Sequence, residues 1–151
     1  SDEILMFECG GQQLVCEVAF KIENNDAKMS RDVMFVRELL QRVEAASLPA
    51  PCPIEQRWTC GSGSVLSPAH GSSQDLFSWV GFIMYLPTQD PQVRNKIVAN
   101  FRKYKELAAP LWDKYGAVEH WAKVEVSKDS PASLQRLAKR YDLDAARRLR
   151  E

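Results

Sequence analysis

The sequence predicts an α+β domain: a mixed, mostly antiparallel sheet with helices packed on one face. Three observations carry this. Extended patterns recur along the chain, amphipathic helical stripes stand between them, and the order β, α, β, β, α, β, α departs from the strict alternation that a parallel sheet needs. The 151 residues, 45% hydrophobic and 26% charged, suffice for one globular domain with a real core and are too apolar for a disordered tail.

The elements follow in order. Ile4 to Phe20 reads as a strand or hairpin, with Leu14 to Phe20 its most apolar part and Gly10-Gly11 a cheap place for a bulge or turn. A polar loop from Glu23 to Lys28 leads into a helix over Asp32 to Ala46, where Val36, Leu39, Leu40 and Val43 recur at helical spacing. Pro49 and Pro51 end it. The stretch "PIEQRWT" (Pro53 to Thr59) is a strand, Gly61 to Ser73 an irregular Gly/Ser loop, and Phe77 to Leu86 the most strand-like run in the chain. Asp90-Pro91 is an N-cap followed by proline at the first helical position, and Val93, Ile97, Phe101, Tyr104, Ala108 and Leu111 mark one apolar stripe. Pro110 is expected to kink or break this helix and Gly116 to end it. Glu119 to Val126 alternates as a strand, Ser130-Pro131 caps a helix carrying Leu134, Leu137, Ala138 and Tyr141, and Asp142 or Asp144 opens a last short helical piece.

Several function classes are disfavoured. Lys plus Arg and Asp plus Glu are both 20, so no overall field draws in nucleic acid. The charge is uneven, with 6 basic and 11 acidic side chains in residues 1–75 against 14 and 9 in residues 76–151. The longest apolar run, Trp79 to Leu86, is far too short for a transmembrane segment. The acidic start Ser1-Asp2-Glu3, without an initiator methionine, reads as a processed or truncated terminus. No GxGxxG or GxxxxGK[ST] supplies a cradle for cofactor phosphates. Cys9, Cys16, Cys52 and Cys60 have neither CxxC spacing nor a nearby histidine at zinc spacing, so no metal is expected and they read as reduced, mostly packed thiols.

In "PIEQRW" the period of two puts Glu55 and Arg57 on one face of a strand and Ile54, Gln56 and Trp58 on the other. Residues of opposite charge, side by side, make either an ordinary surface ion pair or a polar clamp for a small molecule. Trp58, Trp79 and Trp121 read as core residues.

Four blocks, "CGGQQLVCEVAF" (Cys9 to Phe20), "PCPIEQRWT" (Pro51 to Thr59), "SWVGFIMYLPT" (Ser78 to Thr88) and "EHWAKVEV" (Glu119 to Val126), stand in an order that resembles the C-terminal portion of the L-galactono-1,4-lactone dehydrogenase family. That family falls in the aldonolactone oxidase group of the vanillyl-alcohol-oxidase flavoproteins. The resemblance implies a single cap (substrate) domain over residues 1–151, with the FAD-binding domain on a separate chain. It implies catalytic roles for Glu55 and Arg57, which match a Glu-x-Arg strand lying over the flavin: Arg57 to stabilise charge on substrate oxygen, Glu55 to orient the hydroxyl or accept its proton. Lys123 matches a lysine near the flavin ring, and Ser78 a small hydroxyl residue near substrate. His120 is expected to pack on Trp121 or hydrogen-bond to backbone.

The expected function is then the substrate-side half of a split, FAD-dependent enzyme that oxidises an aldonolactone on the way to ascorbate. The resemblance implies a mitochondrial setting, cytochrome c as electron acceptor and a possible link to respiratory complex I. The alternative is a non-catalytic accessory or assembly subunit of that complex, derived from the enzyme.

Overall fold

The computed structural model describes residues 12–22, 29–50, 53–124 and 131–148. The expected Ile4 to Gly11 part of the first strand, Cys9, Cys52, the Glu23 to Lys28 loop, residues 125–126 and the Ser130 cap lie outside these. Strand β1 (Gln13–Ile22) and strand β3 (Leu76–Tyr85) pair antiparallel along their whole lengths, from Gln13 opposite Tyr85 to Ile22 opposite Leu76. Strand β2 (Ile54–Cys60) takes the other edge of β3, and the two-residue β4 (Val118–Glu119) the other edge of β1. The order is β2-β3-β1-β4, antiparallel at every step, and the one parallel contact among the described residues is the isolated bridge Ser62 to His70.

The period of two divides this sheet into two unlike faces. Cys16, Val18 and Phe20 of β1 and Val80, Phe82 and Met84 of β3 point to one side, where helix α1 (Arg31–Ala45) brings Phe35 and Leu39 and helix α2 (Pro91–Tyr115) brings Phe101, Tyr104, Leu111 and Trp112. This is the core. Phe82 stacks on Tyr104 with centroids 4.0 Å apart, while Phe20, Phe35 and Tyr115 form a second aromatic cluster across the α1–α2 seam. Cys16 sits in this core, where burial pushes its thiol up to about 12 and keeps it protonated. Cys60 is also free, but exposed, so only one of the two described cysteines is a packed thiol.

Helix α2 begins and ends as its sequence predicts: Asp90 accepts a hydrogen bond from the Gln92 N–H at 2.8 Å, and Gly116 closes it in the left-handed region at φ 62°. Pro110 does not break it. The helix continues to Tyr115, because the last turn seats Leu111, Trp112 and Tyr115 in the core and that burial outweighs one lost backbone bond. Helices α3 (Pro131–Arg140) and α4 (Leu143–Arg148) follow, with Arg140 of α3 bonded to the Ala117 carbonyl and to Asp113.

The expected strand over Glu119 to Val126 is a second correction. It ends after Glu119, because the His120 side chain accepts the Ala122 N–H and turns the chain into a 3₁₀ turn over Trp121–Lys123. A third concerns tryptophan: Trp79 is buried, but Trp58 and Trp121 are each more than half exposed, since one lies on the edge strand and the other on the turn.

Across the second sheet face, the loop 61–75 folds over one end only. Ala69 packs there against Ala19, Phe77 and Trp79, and the Trp121 indole N–H holds the Leu66 carbonyl at 3.0 Å. Gly61 starts this loop where a Cβ would stand 2.1 Å from the Ser72 carbonyl oxygen, so a side chain there is sterically excluded. Further along that face Glu17, Glu55 and Arg57 lie beside the buried Gly81 and Ile83.

Candidate functional site

Register builds the site. Glu17 of β1 and Glu55 of β2 both pair with Gly81 of β3, one on each side, so a glycine lies between two carboxylate-bearing positions. In the next row Arg57, Trp79 and Ala19 stand abreast. Gly81 leaves the row without a side chain at its centre. The atoms nearest to a Cβ built there are the Cys16 carbonyl oxygen at 3.5 Å and two Glu17 side-chain carbons at 3.9 Å, ordinary van der Waals contacts, and Gly81 itself is buried.

Glu55 and Arg57 share a face, but they do not pair with each other. Arg57 reaches across β3 to Glu17, with Nη2 2.8 Å and Nε 3.1 Å from Oε1, and its guanidinium lies over the Trp79 ring at 4.6 Å from the centroid. The Trp79 indole donates to Thr59 Oγ1 at 2.8 Å, which fixes the platform under that guanidinium. Lys123 arrives from the 3₁₀ turn, and its Nζ is 2.8 Å from Glu17 Oε2. One buried carboxylate therefore takes two cations, one on each oxygen. Among the described residues Glu55 has neither a hydrogen-bond nor an ion-pair partner, and its exposed carboxylate remains available to a ligand hydroxyl.

His120 packs beside this group, its ring 6.1 Å from Trp79 and 6.3 Å from Trp121 between centroids. Burial lowers its pKa; Glu17 opposes that shift, while Lys123 and Arg57 add to it. Its role is to shape the turn that delivers Lys123.

Ser78 is not brought to this site. It points to the helix side, fully buried, and its Oγ receives a hydrogen bond from Gln56 Nε2 at 3.1 Å. Gln56 and the Trp58 indole also donate to Asp32 Oδ2, each at 2.9 Å, so Ser78 joins a polar latch that fastens β2 to the start of α1. Burial would raise the Asp32 pKa, but the bonds that its carboxylate receives, from Ser30 and Trp58 among others, bring it below its ordinary value.

Sequence reading missed Glu17 as a member of the site. The available signal was a lone charge inside the apolar run Leu14 to Phe20, which a buried strand carries only where a partner offsets it.

The described residues thus form a sheet with helices on one side and a charged cluster, Glu17 with Arg57 and Lys123, on the other. Comparison with known sequences gives the family. The chain belongs to the D-arabinono-1,4-lactone oxidase family, whose pattern matches residues 1–151. It is 50% identical to the mitochondrial L-galactono-1,4-lactone dehydrogenase 1 of Oryza sativa subsp. japonica, over 99% of this chain and 27% of that protein. It is 46% identical to the mitochondrial L-galactono-1,4-lactone dehydrogenases of Brassica oleracea and Arabidopsis thaliana, again over 99% of the chain, and 26% and 25% of those proteins. The match falls in their C-terminal portions, so the chain spans about a quarter of the length of these relatives.

Proposed function

We propose that this chain is the substrate-side part of a mitochondrial, FAD-dependent dehydrogenase acting on L-galactono-1,4-lactone or a close aldonolactone. The relatives extend well beyond the stretch that this chain matches, and we assign the FAD-binding part to residues outside these 151. The observation that carries the reading is the grouping of Arg57 and Lys123 on Glu17, with the exposed Glu55 in the same row across Gly81, in a chain of this family.

That grouping fits a flat ring that gains negative charge. Gly81 adds no side chain to the row between Glu17 and Glu55, and two cations border that row. When bound, FAD supplies the hydride acceptor. Arg57 and Lys123 supply positive charge next to that position, and Arg57 presents the planar donor fork that suits substrate oxygens. Glu55, unpaired among the described residues, orients the lactone hydroxyl and accepts its proton as the hydride departs. Ser78 has no direct part in substrate binding on this reading; it supports β2 from beneath.

The test is flavin reduction by L-galactono-1,4-lactone in the chain assembled with its FAD-binding part. Arg57→Ala should remove about 3 to 4 kcal/mol of transition-state stabilisation, roughly a hundred- to a thousand-fold in turnover, without dissolving the assembly. Arg57→Lys should recover only part, since a point ammonium lacks the fork. Turnover unchanged in Arg57→Ala would end the assigned role. An intact, FAD-loaded wild-type assembly that does not reduce its flavin with lactone would end the enzymatic reading.

A further inference from the structure

Glu17 presents its carboxylate to the two cations of the site, and no other side chain described here donates to it. We propose that Glu17 is a positioning residue: its two oxygens hold Arg57 and Lys123 in the arrangement that faces lactone and flavin. The inference rests on the functional reading above and adds to it a residue that acts through the other two.

The geometry divides the carboxylate cleanly. Oε1 takes Arg57, through Nη2 at 2.8 Å and Nε at 3.1 Å, and Oε2 takes Lys123 Nζ at 2.8 Å. The two cations come from positions 40 and 106 residues away, on an edge strand and on a 3₁₀ turn. Both have long side chains with exposed outer parts, and like charge drives them apart. Glu17 itself is only 7% exposed and lies mid-strand on β1, paired with β3 on one side while its carbonyl accepts the His120 N–H at 2.9 Å on the other. Its backbone is therefore the fixed point, and the cations are held to it. The helix-side core does not need this charge, because Glu17 faces the other side of the sheet between Cys16 and Val18, whose side chains enter the core. A carboxylate buried there serves the residues that it binds.

Glu17→Gln keeps the shape and removes the charge; Glu17→Asp keeps the charge and shortens the reach by one methylene. In Glu17→Gln, phenylglyoxal should modify Arg57 and acetic anhydride should modify Lys123 several-fold faster than in wild type, as read by peptide mass spectrometry on the folded protein. In the FAD-loaded assembly kcat should fall about ten- to a hundred-fold, the scale of a small misplacement of reacting groups. KM should change far less, and Glu17→Asp should restore part of kcat. Should Glu17→Gln fail to fold, Glu17→Asp carries both measurements, with faster Lys123 or Arg57 modification and an intermediate kcat expected. Equal modification rates in wild type and variant would overturn the holding role. Faster modification with unchanged kcat would overturn positioning for catalysis. A wild-type assembly without turnover would sink the functional reading by itself, with the labelling contrast still deciding whether Glu17 holds the two cations.

Discussion

Gly81 is where a glycine stands in mid-strand between two carboxylate-bearing positions. Glycine inside a strand costs about 0.5 to 1 kcal/mol relative to alanine, and nothing local demands it here. Its φ is not positive, and an added Cβ would find ordinary contacts. Gly61 is the opposite case, excluded from substitution by the Ser72 carbonyl at 2.1 Å. Gly81→Ala is therefore expected to leave the urea midpoint unchanged or raise it, whereas Gly81→Val, adding bulk between Glu17 and Glu55, should suppress lactone-driven flavin reduction in the assembly. Undiminished turnover in the valine variant would show that no ligand uses this row. Part of this site was legible in sequence, since period two alone puts Glu55 and Arg57 on one face. Which carboxylate Arg57 chooses was not, because Glu17 is 40 residues away and meets it only through the register of two strands on β3.

Among the elements, α2 carries a measurable conflict between local preference and packing. Pro110 lies five residues before its last residue, Tyr115, exposed, and removes one backbone donor from a helix that continues regardless. The interior cost of proline is about 3 kcal/mol, offset in part by about 0.4 to 1 kcal/mol from the stiffer unfolded chain. Pro110→Ala should then stabilise the domain by about 2 kcal/mol, visible as a higher denaturant midpoint at constant slope. A lower midpoint would mean that the ring, or the backbone curvature it imposes, helps to seat Leu111 and Trp112. The same contest explains what sequence could foretell of the elements. The α1, β2, β3 and α2 spans follow from periodicity and caps that packing reinforces, to within a residue or two. At Glu119 to Lys123 the alternation suggests a strand, but a side-chain cap at His120 and a short edge pairing with β1 redirect it, and neither is a periodic signal.

For the whole molecule, the decisive feature is that, among the described residues, one sheet face is packed by helices and the other carries Glu17 with its two cations and the exposed Glu55. The loop 61–75 packs on Phe77 and Trp79 and is held by Trp121 of the 3₁₀ turn, and the row through Gly81 is bordered by Glu17 and Glu55. Such a surface offers a planar ring one wall and two cations already committed to Glu17. It offers the dinucleotide's phosphates no Gly-rich turn leading into a helix, which is the usual source of several converging N–H donors. One-sided contact of this kind leaves most of the ligand in water, and the lost freedom of a large, flexible cofactor is not recovered. The 151-residue chain on its own is therefore expected to lose FAD on desalting, with any affinity weaker than micromolar, and to acquire flavin only together with an added FAD-binding part. The measurement is the flavin-to-protein ratio after gel filtration, for the chain alone and for the assembly, with Arg57→Ala alongside. Stoichiometric retention by the isolated chain would require a phosphate site within these residues and would overturn the assignment of cofactor binding to that part. Flavin held by the assembly to the same extent in wild type and Arg57→Ala would place the binding energy on that part and leave to this chain the orientation of substrate against the ring.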